Sequence, residues 1–201
     1  SREASVQQLA ERFGVSEMTI RRDLAALAKR GELTRTHGGA LLSNAGVIEF
    51  TFKERGQQQV AAKKAIAEAV ACLIQPGMTL SLDTGTTTLE ITKAIVAITP
   101  LTVLTSSLAI TSTLYAHEHI ELVLLGGVAR KGSPDLTGWL TEENLKRFRV
   151  DLAILGADAA DPQGIYTTDV NVARVSQTMM AGAKQTLLAV DHTKFDNTSF
   201  V

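Results

Sequence analysis

The ten residues Val15-Ser16-Glu17-Met18-Thr19-Ile20-Arg21-Arg22-Asp23-Leu24 constrain this chain more than any other stretch. Ser16 reads as an N-cap, whose hydroxyl accepts from an orphan backbone N–H of the first turn. Ile20, Leu24 and Leu27 recur at i, i+4, i+7 and make one apolar stripe. Met18 and Arg22 point away from that stripe, with Thr19 and Arg21 beside them. Upstream, Val6, Leu9, Ala10 and Phe13 have helical spacing behind a second candidate cap, Ser5. Gly14 ends that helix, because glycine takes a left-handed C-cap without strain. Helix, tight glycine turn and second helix make a helix-turn-helix. Downstream, Gly31 to Ala40 reads as a short Thr- and Gly-rich hairpin, a wing carrying Arg35 and His37. An isolated Arg is usually a solvated surface charge, but the assembled motif points to DNA. Met18, Thr19, Arg21 and Arg22 are expected in the major groove, Ser16 at the DNA-binding start of their helix, and Arg35 and His37 at the phosphate backbone.

The charge distribution agrees in sign. The chain of 201 residues has a net charge of −1, so it is not basic as a whole. Residues 1–40 carry seven Lys or Arg against five Asp or Glu, and the rest of the chain carries the acidic excess. The length suits a small module plus one sizeable domain. The single cysteine, Cys72, forms no internal disulfide, points to a reducing compartment and is expected to be a buried, inert thiol. No run of about 18 apolar residues suggests a membrane span, and the N-terminal residues do not read as a signal peptide.

Three segments follow: a DNA-binding unit over 1–42, a linker over 43–60, and a larger domain over 61–201. In the larger domain helices and strands alternate. A helix over 61–74 stops at Pro76-Gly77. Strands are expected at 78–82, 101–104, 120–125, 150–155 and 186–190, and helices at 86–97, 108–116, 141–147 and 170–183. This alternation argues an α/β fold with a parallel sheet covered by helices on both faces. Ligands of such sheets sit beyond the carboxyl ends of the strands. There this chain has Asp83-Thr84-Gly85-Thr86-Thr87-Thr88, Thr105-Ser106-Ser107, Gly126-Gly127, Gly156-Ala157-Asp158 and Asp191-His192-Thr193-Lys194.

The first of these loops leads into a helix N-terminus. Gly85 permits close approach, while hydroxyls and unpaired N–H groups can hold an anion; a Thr-rich cap without a ligand is the plainer alternative. The loop is neither a Walker loop nor a GxGxxG dinucleotide loop, so no nucleotide cofactor is indicated. Thr105-Ser106-Ser107 reads as a second hydroxyl cradle or as a plain N-cap. Asp191 and Lys194 read as ligands for a sugar hydroxyl and a phosphate, or as a surface ion pair. His117 and His119 lack metal-ligand spacing and read as surface residues, and Met179-Met180 reads as core.

The motifs Ser16 to Leu24 and Arg35 to Ala40 resemble the DNA-binding end of the DeoR family of bacterial sugar-metabolism repressors. The resemblance continues through Leu82 to Thr87, Leu125 to Gly127, Leu155 to Asp158 and Val190 to Phe195. It implies a winged helix-turn-helix joined to an effector domain resembling ribose-5-phosphate isomerase. It also implies operator DNA and a phosphorylated sugar as partners, a homo-oligomer (dimer or tetramer), no cofactor, no metal and no membrane, and a place in the bacterial cytoplasm, on the nucleoid when operator-bound. By position, Arg55 and Lys63 match basic residues that the family associates with effector response, as do Asp191 and Lys194. The family pattern has a helix before this sequence and a few tens of residues beyond Phe195. The expectation is therefore a helix-turn-helix without its first helix, a C-terminally truncated sensor, and weakened DNA binding by this exact chain.

The isomerase likeness raises an alternative, a sugar-phosphate isomerase. The isomerases it resembles carry Asp-Gly-Ala-Asp-Glu where this chain has Leu155-Gly156-Ala157-Asp158-Ala159. Leu and Ala replace two of three carboxylates, so the acid/base set is depleted; Asp158 and Lys194 remain, and Asp83 is an added carboxylate in the phosphate loop. The residues therefore favour a binding site without turnover.

Overall fold

The computed structural model describes residues 3–29, 33–36, 38–42, 52–131, 133–195 and 199. The chain divides into two compact units, 1–54 with 131–133, and 55–130 with 134–201.

In the first unit, β1 (Glu3–Ser5) leads directly into α1 (Val6–Phe13), followed by α2 (Glu17–Lys29), β2 (Leu33–Thr36) and β3 (Gly39–Leu42). Ser5 and Gln8 form a reciprocal capping box, satisfying two backbone donors at once. Gly14 closes α1 at φ 64°, the left-handed C-cap its position called for. Ser16 Oγ accepts from the Thr19 amide at 3.2 Å and begins α2. Val6, Ile20, Leu24, Leu33 and Ala40 form the core, with Leu9, Ala10 and Leu27 packed against it. Phe13, which shares the spacing of that stripe, lies at the end of α1 and is exposed. The wing is the antiparallel pair β2 and β3, and β1 adds a third strand through Glu3↔Leu41 to Ser5↔Gly39.

The second unit is built on five parallel strands in the order β12-β9-β4-β5-β6. These are β4 (Thr79–Leu82), β5 (Leu101–Thr105), β6 (Ile120–Leu124), β9 (Val150–Leu155) and β12 (Ala183–Leu188). The helices are α4 (Val60–Ala71), α5 (Thr86–Ile95), α6 (Leu108–Leu114), α7 (Trp139–Leu145) and α8 (Val170–Gly182). Neighbouring side chains of a strand leave opposite faces. Leu152 and Ile154 of β9 therefore join one core with residues of α4, α5 and α6, while Ala153 and Leu155 join another with Leu145, Val175 and Met179. Two antiparallel hairpins, β7 (Val128–Ala129) with β8 (Leu136–Thr137) and β10 (Ala159–Asp161) with β11 (Gly164–Tyr166), interrupt the alternation.

Several expectations need correction. Residues 52–57, read as linker, are helical and constitute α3. Cys72 is exposed, because it falls one residue past the end of α4 rather than on its inner face. Met179 is core, but Met180 points outward, since consecutive helix residues differ in direction by about 100°. The last strand starts at Ala183, directly after α8, and not at Thr186. His117 and His119 are both exposed, as expected.

Candidate functional site

On α2 the apolar stripe faces inward and leaves a polar, basic face outside. Ile20 and Leu24 are 7% exposed, against 74% for Met18. The Arg22 side chain is 80% exposed beside Asp23, and Arg21 pairs with Glu17 at 3.3 Å across one helical turn. Thr19 is half-buried, and its hydroxyl shares a 3.0 Å hydrogen bond with Ser16. Met18, Arg21 and Arg22 thus form one accessible surface near the helix N-terminus, while Ser16 and Thr19 build that terminus. Arg35 lies on β2; its side chain and all of His37 lie outside the described residues.

In the second unit the winding of the chain through the parallel sheet reverses between β4 and β9. From β4 the chain winds outward through β5 and β6, and from β9 it winds the other way to β12. A crevice opens where two such windings diverge. Asp83 sits in it. One carboxylate oxygen accepts from the Thr84 amide at 2.7 Å, the other from the Gly156 amide at 3.1 Å, so the side chain ties the end of β4 to the end of β9. Burial pushes this carboxyl from 3.8 up to about 6, against the two amide bonds that favour its charged form.

Beside it, Gly85 at φ 148° turns the chain into α5, whose first turn has no side-chain cap. The Thr88 hydroxyl is buried and bonds back to the Gly85 carbonyl at 3.1 Å, so Thr86 and Thr87 are the partly exposed hydroxyls there. Uncapped N–H groups and the helix dipole make this end attractive to anions. The chain at Gly56 approaches the same turn: a Cβ built on Gly56 would lie 3.9 Å from Thr86 Cγ2. One residue earlier, the Arg55 carbonyl accepts a hydrogen bond from Lys63 Nζ.

Lys63 is 5% exposed, unusual for a lysine. Burial pushes its ammonium below its ordinary range; Asp191 opposes this, while Lys194 and Arg55 add to it. Residues from two distant parts of the sequence, 55–63 and 191–194, therefore share one electrostatic neighbourhood. Asp191 is buried and caps the short 3-10 helix His192–Lys194, accepting from the Thr193 amide at 3.0 Å. Burial pushes its carboxyl upward, but the Thr193 hydrogen bonds and Lys194 outweigh it and hold it below the usual range.

The remaining loop residues also serve the fold. Thr105 Oγ1 donates to the Leu82 carbonyl at 2.9 Å and accepts from the Ser107 amide, lashing β5 to β4. Ser107 caps α6 through the Ile110 amide, and Ser106 is buried between them. Gly126 and Gly127 have φ of 70° and 129°. A Cβ on Gly127 would fall 2.2 Å from Thr141 Oγ1 and 2.8 Å from the Thr137 carbonyl, so glycine is required by close packing. Asp158 accepts at one oxygen from the Thr168 amide and the hydroxyls of Thr167 and Thr168, fixing the segment after β11.

The sequence reading missed a buried ion pair. Arg130 Nε and Nη2 donate to the two oxygens of Asp135 at 2.9 and 2.7 Å. Asp135 is fully buried and the Arg130 side chain is 21% exposed. The pair closes the hairpin β7–β8, which is fastened across the end of β5 by Leu136 N to Ser106 O at 2.9 Å and Leu108 N to Pro134 O at 2.8 Å. Five residues separate the partners, a spacing that carries no helical or strand signature. The second hairpin did have a signal: Asp161-Pro162-Gln163-Gly164 is a turn whose Asp161 accepts from two following amides. Among the described residues no group of His, Cys, Asp or Glu could hold a metal ion. No helix among them is long and apolar enough to cross a membrane.

Two family models match. Residues 1–45 match a DeoR-like helix-turn-helix domain, and residues 58–201 match a DeoR C-terminal sensor domain. Among curated proteins, the chain is 35% identical over 192 residues to the HTH-type transcriptional repressor CsqR of Escherichia coli K12, covering 95% of this chain and 73% of that protein. It is 33% identical over 198 residues to the glycerol-3-phosphate regulon repressor of the same strain, covering 98% and 78%. It is 34% identical over 195 residues to the lactose phosphotransferase system repressor of Lactococcus lactis, covering 96% and 76%. Among solved structures, a D-ribose-5-phosphate isomerase in complex with phospho-erythronic acid superposes with a TM-score of 0.50 at 19% identity, over 67% of this chain and 53% of the isomerase. The chain thus spans about half of that enzyme, and the likeness is one of fold.

Proposed function

The chain belongs to the DeoR family of transcriptional regulators, and on that premise we propose that it represses a sugar-metabolism operon until a phosphorylated sugar or sugar derivative binds its sensor domain. As a member of that family it is a DNA-binding regulator and not an enzyme. The observation that carries the sensing half is the gathering of Lys63, Arg55 and Lys194 with Asp191, next to a Gly56 backbone that meets the uncapped N-terminus of α5. A phosphate would accept there from the amides and hydroxyls of Gly85, Thr86 and Thr87, with the lysines as point charges. Asp83, Thr105-Ser106-Ser107, Gly126-Gly127 and Asp158, at the ends of strands of one sheet, would line the side toward the sugar. The reading half uses Met18, Thr19, Arg21 and Arg22 in the major groove, with Ser16 at the helix start and Arg35 and His37 on the backbone.

The operator-bound species is a homo-oligomer, a dimer or tetramer, in the bacterial cytoplasm and on the nucleoid. Linkage makes the coupling reciprocal: an effector that weakens operator binding about 5- to 150-fold is itself weakened by operator to the same degree. The test is calorimetric titration of the chain with phosphorylated and unphosphorylated sugars, product analysis of each mixture, and binding to the promoter region of its own operon. Saturable, phosphate-dependent binding without product is expected. Arg22→Ala should lower operator affinity and leave effector affinity unchanged, and Lys194→Ala should do the reverse. Turnover of any sugar phosphate, or effector binding indifferent to phosphate, would refute the proposal.

A further inference from the structure

Arg130 is a partly buried cation of the second unit, outside the cluster of Lys63, Arg55 and Lys194 assigned to the phosphate. Its guanidinium spends Nε and one edge of Nη2 on Asp135, a bidentate contact that fixes the plane of the fork. Among the described residues its Nη1 edge makes no hydrogen bond. Its electrostatic neighbours are Asp135, Asp158 and Asp169, and it acts in turn on Asp83. Asp83 and Asp158 belong to the loops after β4 and β9, the two strands that flank the crevice. The hairpin holding Arg130 is bonded to the loop after β5, which borders β4 on its other side. The guanidinium is thus within electrostatic reach of both loops that flank the crevice, on a hairpin hydrogen-bonded to the loop after β5.

Charge decides what the Nη1 edge can recognise. One guanidinium stands among Asp83, Asp135, Asp158 and Asp169, so a second anion is repelled there. A neutral hydroxyl fits, because it accepts from an Arg N–H and donates to a carboxylate such as Asp83. Resting on the sensing role proposed above, we infer that Arg130, held in place by Asp135, reads the hydroxyl groups of the effector, at the end of the crevice away from its phosphate. Arg130 is a specificity residue that touches the ligand, and Asp135 is the residue that positions it. The effector class that fits is a phosphorylated polyhydroxy compound with a hydroxyl remote from its phosphate.

Two probes separate the two ends: inorganic phosphate, and a phosphorylated sugar selected as a binder of the unaltered chain. Arg130→Lys keeps the charge and loses the fork. Arg130→Met combined with Asp135→Asn removes the pair without leaving a buried charge alone. Both should weaken the phosphorylated sugar roughly 10- to 100-fold, the cost of a lost charge-assisted hydrogen bond. Both should leave inorganic phosphate within about twofold, which also reports that the domain is folded. Asp135→Asn alone should fall between. Equal loss of both ligands would make Arg130 a structural residue and overturn the inference, as would unchanged affinity for both. Failure of the unaltered chain to bind either probe would overturn the sensing role, and this inference with it.

Discussion

Replacing Asp83 by Asn isolates the electrostatic cost of the group at the switch point. Asp83 is buried, and burial raises its carboxyl from 3.8 to about 6. A group whose folded value lies above its unfolded one contributes stability that is fully present below the unfolded value. That stability is lost as pH rises through the folded one. The window therefore runs from about pH 4 to about pH 6. At 1.36 kcal/mol per pH unit, the protein loses about 3 kcal/mol across it through this single side chain. Asn and protonated Asp are close isosteres here: each offers one good acceptor to the pair of amides from Thr84 and Gly156. Asp83→Asn should therefore match the unaltered protein near pH 4 and exceed it by about 2–3 kcal/mol at pH 8. Urea unfolding followed by circular dichroism, at half-unit steps of pH, measures the difference. The difference cancels the other titrating groups, which both proteins share. A difference that stays flat, or grows with falling pH, would refute a carboxylate that is charged at a cost.

Three further outcomes follow from packing and capping. Gly127→Ala should destabilise by more than about 2 kcal/mol, because its Cβ collides with Thr141 Oγ1 and with backbone that cannot retreat, at a φ that disfavours any L side chain; a thermal melt within 2 °C of the unaltered protein would contradict this. Ser5→Ala removes one half of the capping box on α1 and should cost about 1 kcal/mol, measured by urea unfolding with Gln8→Ala as the companion variant. Leu24→Ala, in the small core beneath α2, should cost about 2–4 kcal/mol and abolish operator binding together with α2 order. Retained DNA affinity in that variant would mean that α2 is not the reading helix.

Much of the fold was legible because its signals are local. Ser5, Gly14 and Ser16 punctuate α1 and α2 through bonds reaching no further than one turn. The strands of the parallel sheet are short apolar runs bounded by Gly, hydroxyl and Asp residues, and their alternation with helices fixes the architecture. Features that depend on partners far along the chain were not legible. β1 is three residues long and is a strand only because it meets β3. Phe13 obeys the helical spacing but lies beyond the edge of what the small core can cover. Cys72 was placed on the wrong side of a helix end by a single residue.

The candidate site divides in the same way. Sequence alone determined which residue types stand at the strand ends, because loops after parallel strands must lie on one rim whatever the strand order. It also determined that α2 presents Met18, Arg21 and Arg22 away from its apolar stripe, because 100° per residue leaves no other arrangement. Only the tertiary structure decided that β9 lies beside β4, and so that Asp83 reaches across to Gly156. It alone decided that Lys63, Asp191 and Lys194 feel one another, and that Arg130 is locked to a buried Asp135. Strand order and burial are properties of the whole packed chain: they follow from which surfaces exclude water together, and no local spacing encodes them.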